Sequence, residues 1–246
     1  MGKSIFAILV ALTVPGIAAA QLNVITSGGF FVAYQELLPR FEKSTGISVT
    51  TRRGPSQGSG PDTIAGQLQR GGVADVVIMN KAGLNELITH GNITPGTAVD
   101  LAVVPVGVAV GTSAAVPDIG SVGAVKEALL RAKSVAYESS TVPYMRKTLL
   151  PRLGIADAFI SKSMEAGAPA VASGAAEMVI APVSELIHAP GVHYIGKLPS
   201  EIQLAMTFSA AVVAGSRNAD AARTLIAFLS STQARPAIRH SGMEPL

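Results

Sequence analysis

Four short stretches gather neutral hydrogen-bond donors at the ends of apolar runs: Ser27-Gly28-Gly29, Ser56-Gln57-Gly58-Ser59-Gly60, Ser139-Ser140-Thr141 and the segment at Ser184. Each stands before sequence that reads as a helix. Helix N-termini expose unpaired N–H groups and partial positive charge, so they attract oxyanions. Glycine lets the backbone come close to a ligand, and a Ser or Thr hydroxyl adds a donor. Ser27, Gly28, Gly29, Ser56, Gly58, Ser59, Ser139, Ser140, Thr141 and Ser184 are therefore the candidate ligand contacts. Ser and Thr before a helix are ordinarily caps. Three turns at equivalent topological positions carry a case that one turn alone does not.

Charged and titratable candidates are few. Arg52 and Arg53 end the second apolar run, and a guanidinium matches a carboxylate through two parallel hydrogen bonds. Strand alternation sends the two side chains to opposite faces, so at most one reaches the ligand, with Arg53 the candidate contact. Tyr144 is a further candidate donor. Glu138 disfavours an anion unless it is protonated or turned away, and a buried carboxyl with a raised pKa can move protons. Glu138 and Tyr144 are thus the candidate catalytic residues if the protein is an isomerase. Beside Ser184, Glu185 reads as solvated. The chain has no phosphate-binding P-loop and no Gly-x-Gly-x-x-Gly fingerprint.

These turns must be positioned by a repeated strand–helix rhythm. Asn23–Thr26, Ile47–Arg52 and Ala74–Met79 read as strands, each followed by helical sequence. Gly46 stops the first helix, and Pro39 inside it predicts a kink or a restart. The rhythm resumes with a helix over Val125–Ala132, a strand over Ser134–Tyr137 and a strand over Met178–Ala181. Asn218 reads as the cap of a closing helix with Asp220 in its first turn. Short strand-to-helix connections imply parallel βα units. Two longer apolar strands, Val103–Val110 and Leu204–Ala214, are the natural crossings between two lobes. In open parallel sheets, ligands bind beyond the carboxyl ends of the strands.

Composition narrows the function classes. Residues 1–20 carry Lys3, an apolar run and Ala18-Ala19-Ala20, the pattern of a secretory signal peptide. The run is shorter than the roughly 20 residues a spanning helix needs. A periplasmic location is expected. An apolar content of 48% excludes a disordered chain. With no cysteine, thiol catalysis and iron–sulfur clusters are excluded, and the four histidines form no ligand motif. No metal and no cofactor is expected. The net charge of +3 is spread along the chain without a basic run, which gives nucleic-acid binding no support. The chain is expected to be a monomer.

The residues resemble a known family. Val24 through Phe41-Glu42-Lys43-Ser44-Thr45-Gly46 is similar to the opening of type II periplasmic solute-binding proteins, particularly the molybdate-binding branch. Ala74-Asp75-Val76-Val77-Ile78 and Ala172-Ser173-Gly174-Ala175-Ala176-Glu177 resemble that branch's third strand and a passage of its second lobe. The resemblance implies an α/β fold of two lobes joined by two hinge strands. Lobe 1 would comprise 21–104 and 206–246, and lobe 2 would comprise 105–205. It also implies a small anionic solute held at the interface and delivery to the membrane subunits of an ABC transporter. Ser27, Ser56 and Ser139–Thr141 fall where the family places oxyanion donors. The chain departs from the molybdate pattern at Gly28-Gly29, Arg52-Arg53-Gly54-Pro55 and Pro182-Val183-Ser184-Glu185. These departures look closer to a side branch that includes periplasmic aconitate isomerases, which shift a proton on an unsaturated tricarboxylate. The reading is a binding protein for a small oxyanion or carboxylate, with an isomerase as the alternative.

Overall fold

The computed structural model describes residues 21–246; the expected signal peptide lies outside the described residues. Among the described residues no helix is long and apolar enough to cross a membrane. The first unit is β1 (Gln21–Thr26), α1 (Gly28–Thr45), β2 (Ser48–Arg53), α2 (Ile64–Gln69), β3 (Val76–Asn80) and α3 (Lys81–Thr89). β4 (Val99–Gly111) leads to the second unit, made of α4 (Val122–Arg131), β5 (Val135–Tyr137), α5 (Val142–Tyr144), α6 (Leu150–Leu153), α7 (Ala156–Ile160), β6 (Ser163–Glu165), α8 (Ala168–Ala172), β7 (Met178–Pro182), α9 (Val183–Leu186) and β8 (Val192–Lys197). The chain returns through β9 (Ala205–Val212) to α10 (Ala219–Leu229), α11 (Arg235–His240) and β10 (Glu244–Pro245).

All strands join one sheet along the path β2-β1-β3-β9-β4-β7-β5-β6, with β8 and β10 also paired to β4. The βα units are parallel as their rhythm implied: β1 pairs in parallel with β2 and β3, and β5 with β6 and β7. Alternation along each strand feeds two cores. In β1 and β3, Leu22, Val24, Val76 and Ile78 pack with α1 and α10, whereas Ile25, Val77 and Met79 pack with Ile64, Leu84 and Leu87 of α2 and α3. In the second unit, Val135 and Ile180 join the larger core, while Ala136, Val179 and Ala181 pack under α8 and α9. Helices on both faces explain why every residue of β3 and β7 is buried.

β4 is the strand that ties the halves together. Residues Val99–Pro105 pair with β9, and Val106–Val110 pair with β7. The return crossing lies beside it. Gln203 accepts the Val106 N–H at 2.8 Å and donates to the Val106 and Leu198 carbonyls at 3.1 and 2.9 Å.

Several local expectations are corrected. α1 runs through Pro39 without a restart. Pro39 and the following Arg40 lie on its exposed side, where water replaces the lost backbone donor. Asn218 does not cap α10 with its side chain; its amide donates to Asp75 and to the Gln21 carbonyl instead. Strands β6, β8 and β10 carry no expected counterpart. They are short or half-exposed edge pieces whose pairing, not their apolarity, makes them strands.

Candidate functional site

The carboxyl ends of β1, β2, β5 and β7 face one another across the gap between the two halves. Two adjoining hollows fill it, of about 420 and 560 Å³. Gly28, Arg53, Glu138, Gly167, Pro169 and Glu185 line both, so they are two chambers of one cleft. The smaller chamber adds Gly54, Pro55, Ser56, Asp62, Ser139 and Ser140. The larger adds apolar surface from Phe31, Val32, Ala168 and Ala172, together with Ser173, Ser184 and His188. A hollow of about 750 Å³ also opens beside α4, but its ionisable groups are already paired. Glu127 holds Arg131 at 2.9 Å, and Glu177 accepts the Lys133 N–H at 2.8 Å. The unpaired chemistry lies in the cleft.

Among the described residues, three buried hydroxyls, those of Ser27, Ser140 and Ser184, have no hydrogen-bond partner. They are 3%, 8% and 2% exposed. Buried polar atoms are nearly always paired, so such orphans mark donors held for a guest; Ser140 lines the smaller chamber, Ser184 the larger, and Ser27 directly precedes Gly28, which lines both. Ser27 occupies the N-cap position of α1 in extended conformation, yet its hydroxyl does not cap. Its backbone N–H is anchored to the Ile78 carbonyl at 2.8 Å, which fixes the turn. Ser140 sits in the 3-10 turn after β5, and Ser184 in the first turn of α9. Ser56 accepts the Asn80 N–H at 3.1 Å, which leaves its O–H free to donate.

Arg53, at the end of β2, reaches across to α1. Its guanidinium lies 4.1 Å from the centre of the Phe31 ring, a cation–π contact that holds it over the cleft. Arg52 turns the other way and donates to the Val73 carbonyl at 2.6 Å. Alternation along the strand therefore separates the two arginines as expected.

Two carboxyl groups share the space with Arg53. A Cβ placed on Gly28 would stand 2.8 Å from Glu185 Oε2 and 3.5 Å from an Arg53 nitrogen. Glu185, carried by α9, thus crosses to the N-terminus of α1, and only glycine leaves room for it. A Cβ on Gly167 would stand 2.5 Å from Glu138 Oε2 in the same way. Ser139 donates to Glu138 Oε1 at 3.1 Å. Glu185 keeps partial exposure through the cleft mouth, but its carboxyl is enclosed by protein. Burial pushes its pKa from 4.5 up to about 8, the charge of Glu138 pushes the same way, and Arg53 opposes both. Glu185 therefore holds its proton at neutral pH. The expectation of a solvated Glu185 is overturned by packing from the other half of the molecule.

Other expected contacts lie elsewhere. Thr141 spends its hydroxyl on the Glu138 carbonyl at 2.7 Å. Tyr144 is buried away from both chambers and donates to the Ile202 carbonyl; burial pushes its pKa to about 12. Gly29 is buried under the Phe208 ring, which a Cβ there would strike, so its role is packing. Gly58 and Ser59 stand on an exposed turn and line neither chamber. Gly167, Pro169, Phe31 and His188 carry no signal in the sequence; they are brought to the cleft only by the tertiary fold.

Residues 22–244 match the family described as bacterial extracellular solute-binding protein. An aconitate isomerase from Pseudomonas sp is 35% identical over 248 residues, which covers 98% of this chain and 94% of that protein. The periplasmic molybdate-binding protein of Azotobacter vinelandii is similar in structure, with a TM-score of 0.71 at 20% identity over 90% of this chain and 98% of that one. The sulfate-binding protein SubI of Mycobacterium tuberculosis H37Rv has a TM-score of 0.68 at 18% identity, covering 92% of this chain and 87% of that one. The structural likenesses bear on the fold, which is the two-lobed α/β type II arrangement.

Proposed function

Because this chain belongs to the bacterial extracellular solute-binding protein family, we propose that its two lobes close on one small carboxylate. The observation that carries this reading is the set of three buried, partnerless serine hydroxyls, Ser140 and Ser184 lining the cleft and Ser27 next to its Gly28 wall. Ser27, Ser140 and Ser184 donate to the ligand's oxygens, Ser56 and Ser139 assist, and Arg53 supplies the positive charge. Neutral donors on rigid helix starts hold an anion without the desolvation cost of extra cations. Lobe 1 comprises 21–104 and 206–246, and lobe 2 comprises 105–205, with the hinge at Val106 and Gln203. Export through the N-terminal signal peptide would place the protein in the periplasm, where it hands its solute to ABC transporter membrane subunits. A thermal-shift panel of molybdate, sulfate and di- and tricarboxylates tests the ligand class. A ligand at about 100 times its Kd adds about 2.7 kcal/mol, or about 5–10 °C for a chain of this size. A panel with no shift refutes the reading.

A second reading is favoured by one specific observation: Glu138 and Glu185 both line both chambers. A pure anion receptor has no use for two acids beside its ligand, whereas shifting a proton along an unsaturated carboxylate needs them. The 35% identical aconitate isomerase supports the same choice. On this reading the cleft interconverts the cis and trans forms of an unsaturated tricarboxylate. Incubation with trans-aconitate, followed by NMR, tests it; tight binding without turnover leaves a binding protein only.

A further inference from the structure

We propose that the two cleft carboxyls divide the labour of proton transfer, Glu138 taking the proton from the substrate carbon and Glu185 returning one to the carbon at the far end of the allylic system. This inference rests on the isomerase reading above. The two groups are chemically identical, so their surroundings decide their roles. Glu138 lies at the C-terminal end of β5, where Ser139 donates to one of its oxygens at 3.1 Å. Glu185 leans across the cleft onto Gly28, with Glu138, Arg53, His188 and, in the smaller chamber, Asp62 the other ionisable groups around it. Enclosure and the neighbouring Glu138 charge keep it protonated at neutral pH. Two carboxyls in unequal surroundings, one enclosed against Gly28 and one hydrogen-bonded to Ser139, are the arrangement that gives them different roles.

The step balances. The Glu138 carboxylate removes a proton from the methylene carbon, and the C–H electron pair spreads over the allylic carbons onto the adjoining carboxylate. The partnerless hydroxyls of Ser27, Ser140 and Ser184 are available to hold that growing oxyanion charge. The shifted double bond forms as the far carbon takes the Glu185 proton. Glu138 ends protonated and Glu185 ionised, and exchange with water through the cleft mouth resets the pair. No oxidant, metal or further reactant is consumed.

The experiment is turnover of trans-aconitate by the full-length mature protein in deuterium oxide, followed by NMR. Two separate groups require that the receiving carbon carry solvent deuterium from the first turnover. One shared group would return the substrate's own proton, and that result overturns the proposal while the isomerase reading stands. Glu185→Gln is expected to slow isomerisation by about 100-fold or more while exchange of the methylene protons with solvent continues. Glu138→Gln is expected to abolish both. Loss of both in Glu185→Gln, with the melting temperature unchanged, overturns the assignment. Wild-type protein that binds trans-aconitate without turnover or exchange refutes the isomerase reading itself and leaves the binding reading intact.

Discussion

The proton held by Glu185 has a consequence for stability that needs no ligand. In the unfolded chain this carboxyl ionises near 4.5, whereas in the folded protein it stays protonated up to about 8. Between those values the native state binds more protons than the unfolded state, so stability is full below 4.5 and is lost as pH rises through about 8. At about 1.4 kcal/mol per tenfold, the full difference would approach about 5 kcal/mol. The Glu185 residue keeps some exposure although its carboxyl is enclosed, so about 5 kcal/mol is an upper bound and about 1–2 kcal/mol is the expected size. Glu185→Gln removes the titration and keeps the shape. At pH 5 the variant and wild type should melt at similar temperatures. By pH 9 the variant should gain about 2–8 °C relative to wild type. Calorimetric melts at constant ionic strength, in buffers free of carboxylates, read this directly. Parallel pH curves for the two proteins would refute a buried, proton-holding Glu185.

Four further outcomes follow from the same geometry. Ser140→Ala and Ser184→Ala each remove a hydroxyl with no partner, so neither should lower the melting temperature of the free protein, yet each should weaken carboxylate binding about 5- to 10-fold by calorimetry. Gly28→Ala puts a methyl 2.8 Å from Glu185 Oε2 and should reduce affinity at least 10-fold with little change in folding, because the flexible Glu185 side chain can swing away. Gly29→Ala drives a methyl into the buried Phe208 ring and should destabilise the protein by about 1–3 kcal/mol in denaturant titrations. Gln203→Leu strips three hydrogen bonds from the paired crossings at Val106 and Leu198 and should cost about 1–2 kcal/mol in the same assay.

Much of this architecture is legible in the sequence, because it is written in local signals. Apolar runs followed by helical sequence and terminal glycines mark the parallel βα units, and strand alternation separates Arg52 from Arg53. Ser27, Ser140 and Ser184 could be singled out because donor-rich turns at strand ends have a fixed topological meaning. What escaped depends on contacts between distant segments. Glu185 reads as a surface residue of a short helix until Gly28, from the other lobe, is placed beneath it. Tyr144 and Thr141 look like donors, but nearby carbonyls, Ile202 and Glu138, satisfy them first. Gly29 carries the look of a ligand turn, although the constraint on it is the Phe208 ring. Asn218 has the residue type of a cap and serves instead as a strut to Asp75.

The most direct measurement is a crystal structure of the protein grown with trans-aconitate. The account predicts carboxylate oxygens within hydrogen-bond distance of the Ser27, Ser140 and Ser184 hydroxyls, with the Arg53 guanidinium alongside. A ligand seated elsewhere, or one that leaves those three hydroxyls untouched, would contradict it.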